Sequence, residues 1–244
     1  MSQVSATPTQ NDGMDKKVRI LCVYGSESGT AKRGINKLVK RWQATQHSSA
    51  FEVVGIMTGN ELTAQLGGSG TASAKNLEGI VQRCDVLLVA TSSYGAGDPP
   101  SNYASFVHLI GHEASMKSDA LTGLQHAVLG YGSTTYTTFQ NIPRLTDKFL
   151  GDCGSRRLVQ RTEIDECDDE SDAKYVGFGD ELLAQLLALP PTSAPPACAW
   201  SKPGDKISLL DEDDNELGFP VIYVIFACFV ALVGFAWWYV QPLN

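Results

Sequence analysis

The 244-residue chain is short of several features, and each shortage removes a class of function. Basic residues are outnumbered, 19 Lys and Arg against 27 Asp and Glu, and the net charge of −8 disfavours a general affinity for nucleic acid. The six cysteines (Cys22, Cys84, Cys153, Cys167, Cys198 and Cys228) include no CxxC pair and no histidine at metal-ligand spacing. That leaves neither a zinc site nor a disulfide framework, and it points to free thiols in a reducing compartment. No Asn-x-Ser/Thr sequon occurs, in keeping with a cytosolic face. Residues 1–16 are polar and have no apolar core, so they read as a disordered leader and not as a secretory signal. No nucleophile with a general base stands out: His47, His108, His112 and His126 are dispersed, and the His108/His112 pair lacks a third ligand.

What is present is distributed unevenly. Phe219 to Val240 is a 22-residue run without a charged side chain, long enough as a helix to span about 33 Å of hydrocarbon. Trp237, Trp238 and Tyr239 end it like an interfacial aromatic belt. The expectation is a single C-terminal transmembrane helix over 219–240, a tail anchor with the remainder of the chain facing the cytosol. Gln241-Pro242-Leu243-Asn244 adds no basic flank, which favours the endoplasmic reticulum over the mitochondrial outer membrane. Residues 189–218 carry five prolines and the run Asp211-Glu212-Asp213-Asp214-Asn215-Glu216, the composition of an extended stalk.

Between leader and stalk, residues 17–188 alternate short β-branched runs with helical patterns. The runs are Val18 to Tyr24, Phe51 to Met57, Val86 to Ala90, His126 to Leu129 and one near Arg157 to Gln160. Helices are expected from Thr30 to about Trp42, from about Asn102, and at the end of the region near Leu189. This alternation predicts an α/β fold, a doubly wound five-stranded parallel sheet. Gly67 to Ser73 reads as a mobile loop in the second connection.

Ligands of such sheets bind beyond the carboxyl ends of the strands, which draws attention to three loops. Gly25-Ser26-Glu27-Ser28-Gly29-Thr30-Ala31 joins a strand to a helix with small hydroxyl residues and glycines, suited to a phosphate at a helix N-terminus. No Lys-Ser/Thr follows Gly29 and there is no GxGxxG, which excludes a nucleotide-triphosphate loop. Thr91-Ser92-Ser93-Tyr94-Gly95-Ala96-Gly97-Asp98-Pro99-Pro100 offers an aromatic face beside two glycines. Gly130-Tyr131-Gly132-Ser133-Thr134-Thr135-Tyr136 supplies further tyrosines, and two loops with tyrosines could sandwich a planar ring.

In order and spacing, Tyr24 to Ala31, Tyr94 to Asn102 and Leu129 to Phe139 resemble the flavin mononucleotide loops of the flavodoxin family. The resemblance is strongest to the flavodoxin-like domains of diflavin reductases such as NADPH–cytochrome P450 reductase and sulfite reductase, and it covers roughly residues 17 to 188. It implies FMN as cofactor. Ser26, Glu27, Ser28, Gly29, Thr30 and Ala31 would hold the phosphate, and Tyr94 and Tyr136 would flank the isoalloxazine. Ser93, Gly95, Gly97 and Asp98 would complete the second loop's contribution, with the Gly95 peptide able to turn toward flavin N5. Gly130, Gly132, Ser133, Thr135 and Phe139 would line the ring edge, with Asp165 as a nearby acidic group. Ala96, Ser133 and Gln140 depart from the residues common in the reductases.

The expected function is that of a membrane-tethered electron carrier. A separate NAD(P)H-dependent reductase would be the donor, and a membrane-bound haem, desaturase or iron–sulfur protein the acceptor; the stretch from Glu163 to Asp172, with seven acidic residues and no basic one, would serve as a docking edge. The alternatives are an FMN-dependent NAD(P)H:quinone oxidoreductase and a cofactor-free membrane adaptor.

Overall fold

Strand β1 (Val18–Gly25) is an eight-residue run of mainly apolar and β-branched side chains, almost wholly buried, as a central strand covered on both faces must be. The computed structural model, which describes residues 17–66 and 77–190, sets it between β2 (Phe51–Thr58) and β3 (Val86–Ser92). Strand β4 (Gln125–Gly132) lies outside β3, and all of these pairings are parallel. The sheet order β2-β1-β3-β4-β5 reverses direction at the junction of β1 and β3.

The fifth position corrects the sequence expectation. One strand near Arg157 to Gln160 is replaced by two short pieces, β5 (Arg156–Arg157) and β6 (Thr162–Asp165), both parallel to β4, so among the described residues the sheet has six strands and not five. Between the two ladders β4 advances from His126 to Leu129 while its neighbour runs from Arg157 to Thr162, so extra residues leave the ladder. Arg157 and Arg161 flank that break, and both turn their guanidinium groups onto Asp147, while Val159 between them is buried.

Parallel neighbours need crossover helices. These are α1 (Thr30–Gln43), α2 (Gly59–Leu66), α3 (Glu78–Val81), α4 (Ala104–Ser115) and α5 (Asn141–Asp152), and α6 (Ser171–Ala188) follows the last strand. Successive strand residues point to opposite faces. Leu21, Val23, Leu87, Val89 and Val128 join a core with residues of α2 to α5, including Leu62, Ile80, Phe106, Ile110 and Leu150. Ile20, Cys22 and Leu88 alternate with them and are buried toward the other face. There α1 meets α6: Trp42 Nε1–H donates to the Gly179 carbonyl at 3.0 Å, and the Tyr175 hydroxyl donates to the Gly34 carbonyl at 2.7 Å. Gly179 permits this approach, since a Cβ there would stand 2.5 Å from Leu38 Cδ2.

The amino ends of the strands are closed by buried charge. Asp147, on α5 and 2% exposed, accepts from His126 Nε2 at 3.2 Å, Arg157 Nε at 2.8 Å and Arg161 Nη1 at 2.7 Å. Ser155 Oγ lies 2.9 Å from His126 Nδ1, which lines up Ser, His and Asp. The line is structural. Its serine hydroxyl donates to the Leu124 carbonyl, its aspartate is held by two arginines, and all three residues are buried.

Among the described residues the cysteines are free, with Cys22, Cys84 and Cys153 buried and Cys167 exposed. The leader, the Gly67 to Ser73 loop, nearly all of the stalk and the apolar run 219–240 lie outside the described residues. Among the described residues no helix is long and apolar enough to cross a membrane.

Candidate functional site

Loop one leaves β1 at Gly25, which packs directly beneath α4. A Cβ at Gly25 would meet Tyr103 Cβ at 2.4 Å and Tyr103 Cγ at 2.5 Å, atoms fixed close to their own backbone. Gly25→Ala is therefore expected to cost about 1–3 kcal/mol through overpacking. A shifted urea midpoint at unchanged slope would register it, and an unchanged midpoint would contradict the packing described. Next, Asn102 clamps Ser26 through both backbone groups, its Oδ1 accepting from Ser26 N–H at 3.0 Å and its Nδ2 donating to Ser26 O at 3.1 Å. Gly29, left-handed at φ 78°, turns the chain into α1. The helical ladder starts with Arg33 N–H on the Gly29 carbonyl, so the N–H groups just before it have no acceptor within the helix. No acidic residue stands in the first turn of α1, and the Glu27 carboxylate is turned aside to accept from Ser101 N–H and, at 3.1 Å, from Ser101 Oγ. A phosphate-sized anion thus faces donors and a positive dipole end without a competing carboxylate.

Loop two folds back on itself through an antiparallel bridge between Tyr94 and Asp98, with N–H groups of Gly97 and Asp98 donating to the Tyr94 carbonyl. Gly95 (φ 53°) and Gly97 (φ 102°) supply the left-handed turns this requires. The bridge leaves the Tyr94 ring 61% exposed. Loop three turns through Ser133, Tyr136 and Thr138, each of whose carbonyls accepts from an N–H three residues later, and presents Tyr136 at 66% exposure. The two loops are tied to one another at the start of α5. Asn141 Nδ2 donates to the Gly97 carbonyl at 2.8 Å, Ile142 N–H to Ser93 Oγ at 3.0 Å, and Thr138 Oγ1 approaches the Gly95 carbonyl at 3.5 Å.

These loops enclose a cavity of about 330 Å³, within the size range of small-molecule sites. Ser93, Tyr94, Gly95, Gly132, Ser133, Tyr136 and Phe139, all expected from sequence, line it. Thr138 also lines it and was not expected, as do Tyr131, placed in the third loop without a role, and Gln140, singled out only as a departure from the reductases. Gln140 is fully buried at a left-handed φ of 62°, donates from Nε2 to the Ile164 carbonyl at 3.3 Å, and leaves its Oε1 without a partner. Gly130 is the space this amide occupies, since a Cβ there would come within 1.8 Å of Gln140 Oε1. Gly97 and Asp98 shape the turn under the cavity and do not line it. Ser26, Glu27, Ser28, Gly29, Thr30 and Ala31 form the separate anion loop beyond β1.

Asp165 serves the frame. Its carboxylate accepts from Cys167 N–H at 3.0 Å, Thr134 N–H at 3.1 Å and Thr134 Oγ1 at 2.8 Å, and these bonds hold it below the usual carboxylate range. Thr135 bonds Ser133 Oγ, which also meets the Cys167 thiol at 3.2 Å. The acidic stretch is likewise partly engaged: Glu163 pairs with Arg144 and Arg161, and Asp168 with Lys174. The docking edge expected there carries less free negative charge than its composition implies.

An isoalloxazine needs a slot with apolar walls and an edge of hydrogen-bonding groups. Two strongly exposed tyrosines on tied loops, both bordering one cavity, together with the unpartnered Gln140 Oε1, provide this. Fold, sheet order and site together are those of a flavodoxin-like α/β domain with a cavity suited to a planar ring. The family model described as Flavodoxin matches residues 59–176. The chain is 31% identical over 151 residues to a bifunctional cytochrome P450/NADPH–P450 reductase of Bacillus cereus, covering 62% of this chain and 12% of that protein. It is 40% identical over 81 residues to a methionine synthase reductase of Caenorhabditis elegans, covering 33% and 12%, and 27% identical over 167 residues to an NADPH–cytochrome P450 reductase of Phanerodontia chrysosporium, covering 67% and 20%. The chain therefore corresponds to a fifth or less of the length of these relatives. A mutant flavodoxin from Pseudomonas aeruginosa shares the fold, with a TM-score of 0.50 at 19% identity over 69% of this chain and 99% of that one. The described domain is homologous to part of the diflavin reductases, and FMN is its cofactor.

Proposed function

We propose that this chain is an FMN-bearing electron carrier tethered to a membrane by residues 219–240. It would take electrons from an NAD(P)H-dependent reductase on a separate chain and pass them to a membrane-bound haem, desaturase or iron–sulfur protein, with the flavodoxin-like domain on the cytosolic side and the endoplasmic reticulum as the favoured membrane. The observation that carries the reading is the pair of exposed tyrosines on cross-tied loops around one cavity, adjacent to an anion loop.

Bound FMN supplies one- and two-electron transfer. The protein's part is to bind and orient. Ser26, Ser28, Gly29, Thr30 and Ala31 would receive the phosphate through backbone N–H and hydroxyl groups. Tyr94 and Tyr136 would cover the ring faces and exclude water from them, while Ser133 and Gln140 offer polar atoms at its edge. Gly95 is loosely held, with open space where a Cβ would be and a long contact to Thr138, so its peptide can exchange hydrogen-bond partners at the ring edge. Both tyrosines stay at the surface, which keeps the ring edge open to a docking partner. Tethering would raise the effective concentration of carrier at a membrane-bound acceptor.

The purified full chain is expected to be yellow, to contain one FMN, to reduce slowly with NADPH alone and to reduce quickly once an NADPH-dependent diflavin reductase is added. Visible spectra during reduction are the measurement. A colourless chain that leaves the fluorescence of added FMN unquenched would remove the proposal. Rapid turnover of a quinone with NADPH alone would replace it with a quinone oxidoreductase.

A further inference from the structure

We infer that Arg33 is the specificity residue by which this domain selects a phosphorylated flavin over riboflavin, an inference that rests on the FMN reading. Arg33 lies in the first turns of α1, and its guanidinium folds back over loop one. Its Nη1 donates to the Ser28 carbonyl at 3.1 Å and its Nη2 to Thr30 Oγ1 at 3.0 Å, while Ser28 Oγ and Thr30 Oγ1 are 3.0 Å apart. A full positive charge is thereby fixed at the anion loop by neutral oxygens, which position it without cancelling it. Three further observations point the same way. Gly29 passes close beneath the guanidinium, a Cβ there lying 3.4 Å from Nη1. The only carboxylate on the loop, Glu27, is bound to Ser101. Lys37, one turn further along α1, lies over the Tyr175 ring at 5.3 Å, whereas the Arg33 guanidinium is bonded to the loop itself.

The energetic consequence follows from the size of each charge. A helix end contributes roughly half an elementary charge, which fades within one turn. An arginine contributes a whole one and can form paired hydrogen bonds with a phosphate. Arg33 is exposed, so water and salt reduce its worth, and the expected effect is moderate: about a tenfold change in FMN affinity. Riboflavin has the same ring and ribityl chain but no phosphate, so it does not engage this charge.

The test uses the full chain stripped of flavin, titrated with FMN and separately with riboflavin while flavin fluorescence is followed. Arg33→Gln is expected to weaken FMN about tenfold and to leave riboflavin within about twofold. Arg33→Lys is expected to keep most of the FMN affinity, and the salt dependence of FMN binding should fall in Arg33→Gln. Circular dichroism of each variant establishes that it is folded. Equal losses for both flavins, or unchanged FMN affinity in folded Arg33→Gln, would overturn the inference while the cofactor reading stands. A wild-type chain that binds neither flavin would overturn both.

Discussion

Replacing Asp147 with alanine is expected to remove about 3 kcal/mol of folding stability, the lower end of the cost of breaking a buried ion pair. The carboxylate is 2% exposed and serves three donors, His126, Arg157 and Arg161, of which His126 is equally buried and would be left with its Nε2 unpaired. The arginines are partly exposed and can turn to water, which is why the upper end of the range is not expected. For a domain of this size such a loss lowers the thermal midpoint by roughly 6–12 °C. Burial alone would raise the Asp147 pKa, but hydrogen bonds from His126 and Arg157 hold the carboxyl well below the usual carboxylate range. A depressed folded pKa means stability that is complete above the unfolded value near 4 and is lost only as pH falls below it. The gap between wild type and Asp147→Ala should therefore stay constant through neutral pH and close in strong acid. A thermal midpoint within one or two degrees of wild type at pH 7 would show that this network is not the clamp described above.

Tyr136→Ala is expected to weaken FMN by about 1–3 kcal/mol, the usual worth of an aromatic face stacked on a planar heterocycle, or roughly 5- to 150-fold in affinity. Tyr136 is 66% exposed, so the fold loses little when it is truncated, and the melting temperature of the flavin-free protein should hardly move. Tyr136→Phe keeps the face and should keep most of the affinity. Titration of flavin-stripped protein with FMN decides the matter. Unchanged affinity in Tyr136→Ala would mean that the ring does not lie against this side chain.

The strands at the centre of the sheet were legible because burial on both faces writes a continuous apolar signal: Val18 to Tyr24 and Val86 to Ala90 can hardly be anything else. The edge was not. Arg157 reads in sequence as the start of a single strand, yet the contacts of Arg157 and Arg161 with Asp147 accompany the break that divides β5 from β6. Helix α5 was missed because its first turn opens on the polar Gln140 and Asn141 and includes Pro143, a residue tolerated only where backbone N–H groups are unclaimed anyway. The tyrosines and glycines of the site announced themselves through unusual spacing. Arg33 did not, since an arginine acquires meaning here only from what folds against it. The bonds by which Asp165 holds Thr134 and Cys167 were likewise not legible, since they arise only when the two loops meet.

The ties from the start of α5 to loop two have a mechanical consequence. With Asn141 bound to the Gly97 carbonyl and Ile142 N–H to Ser93 Oγ, the two tyrosine-bearing loops behave as jaws pinned on one side, their gape fixed before any flavin arrives. Wide opening requires unlatching the first turn of α5. Flavin residence time should then follow the local stability of that turn, and a change at Asn141 would shorten it even though Asn141 need never touch the ring.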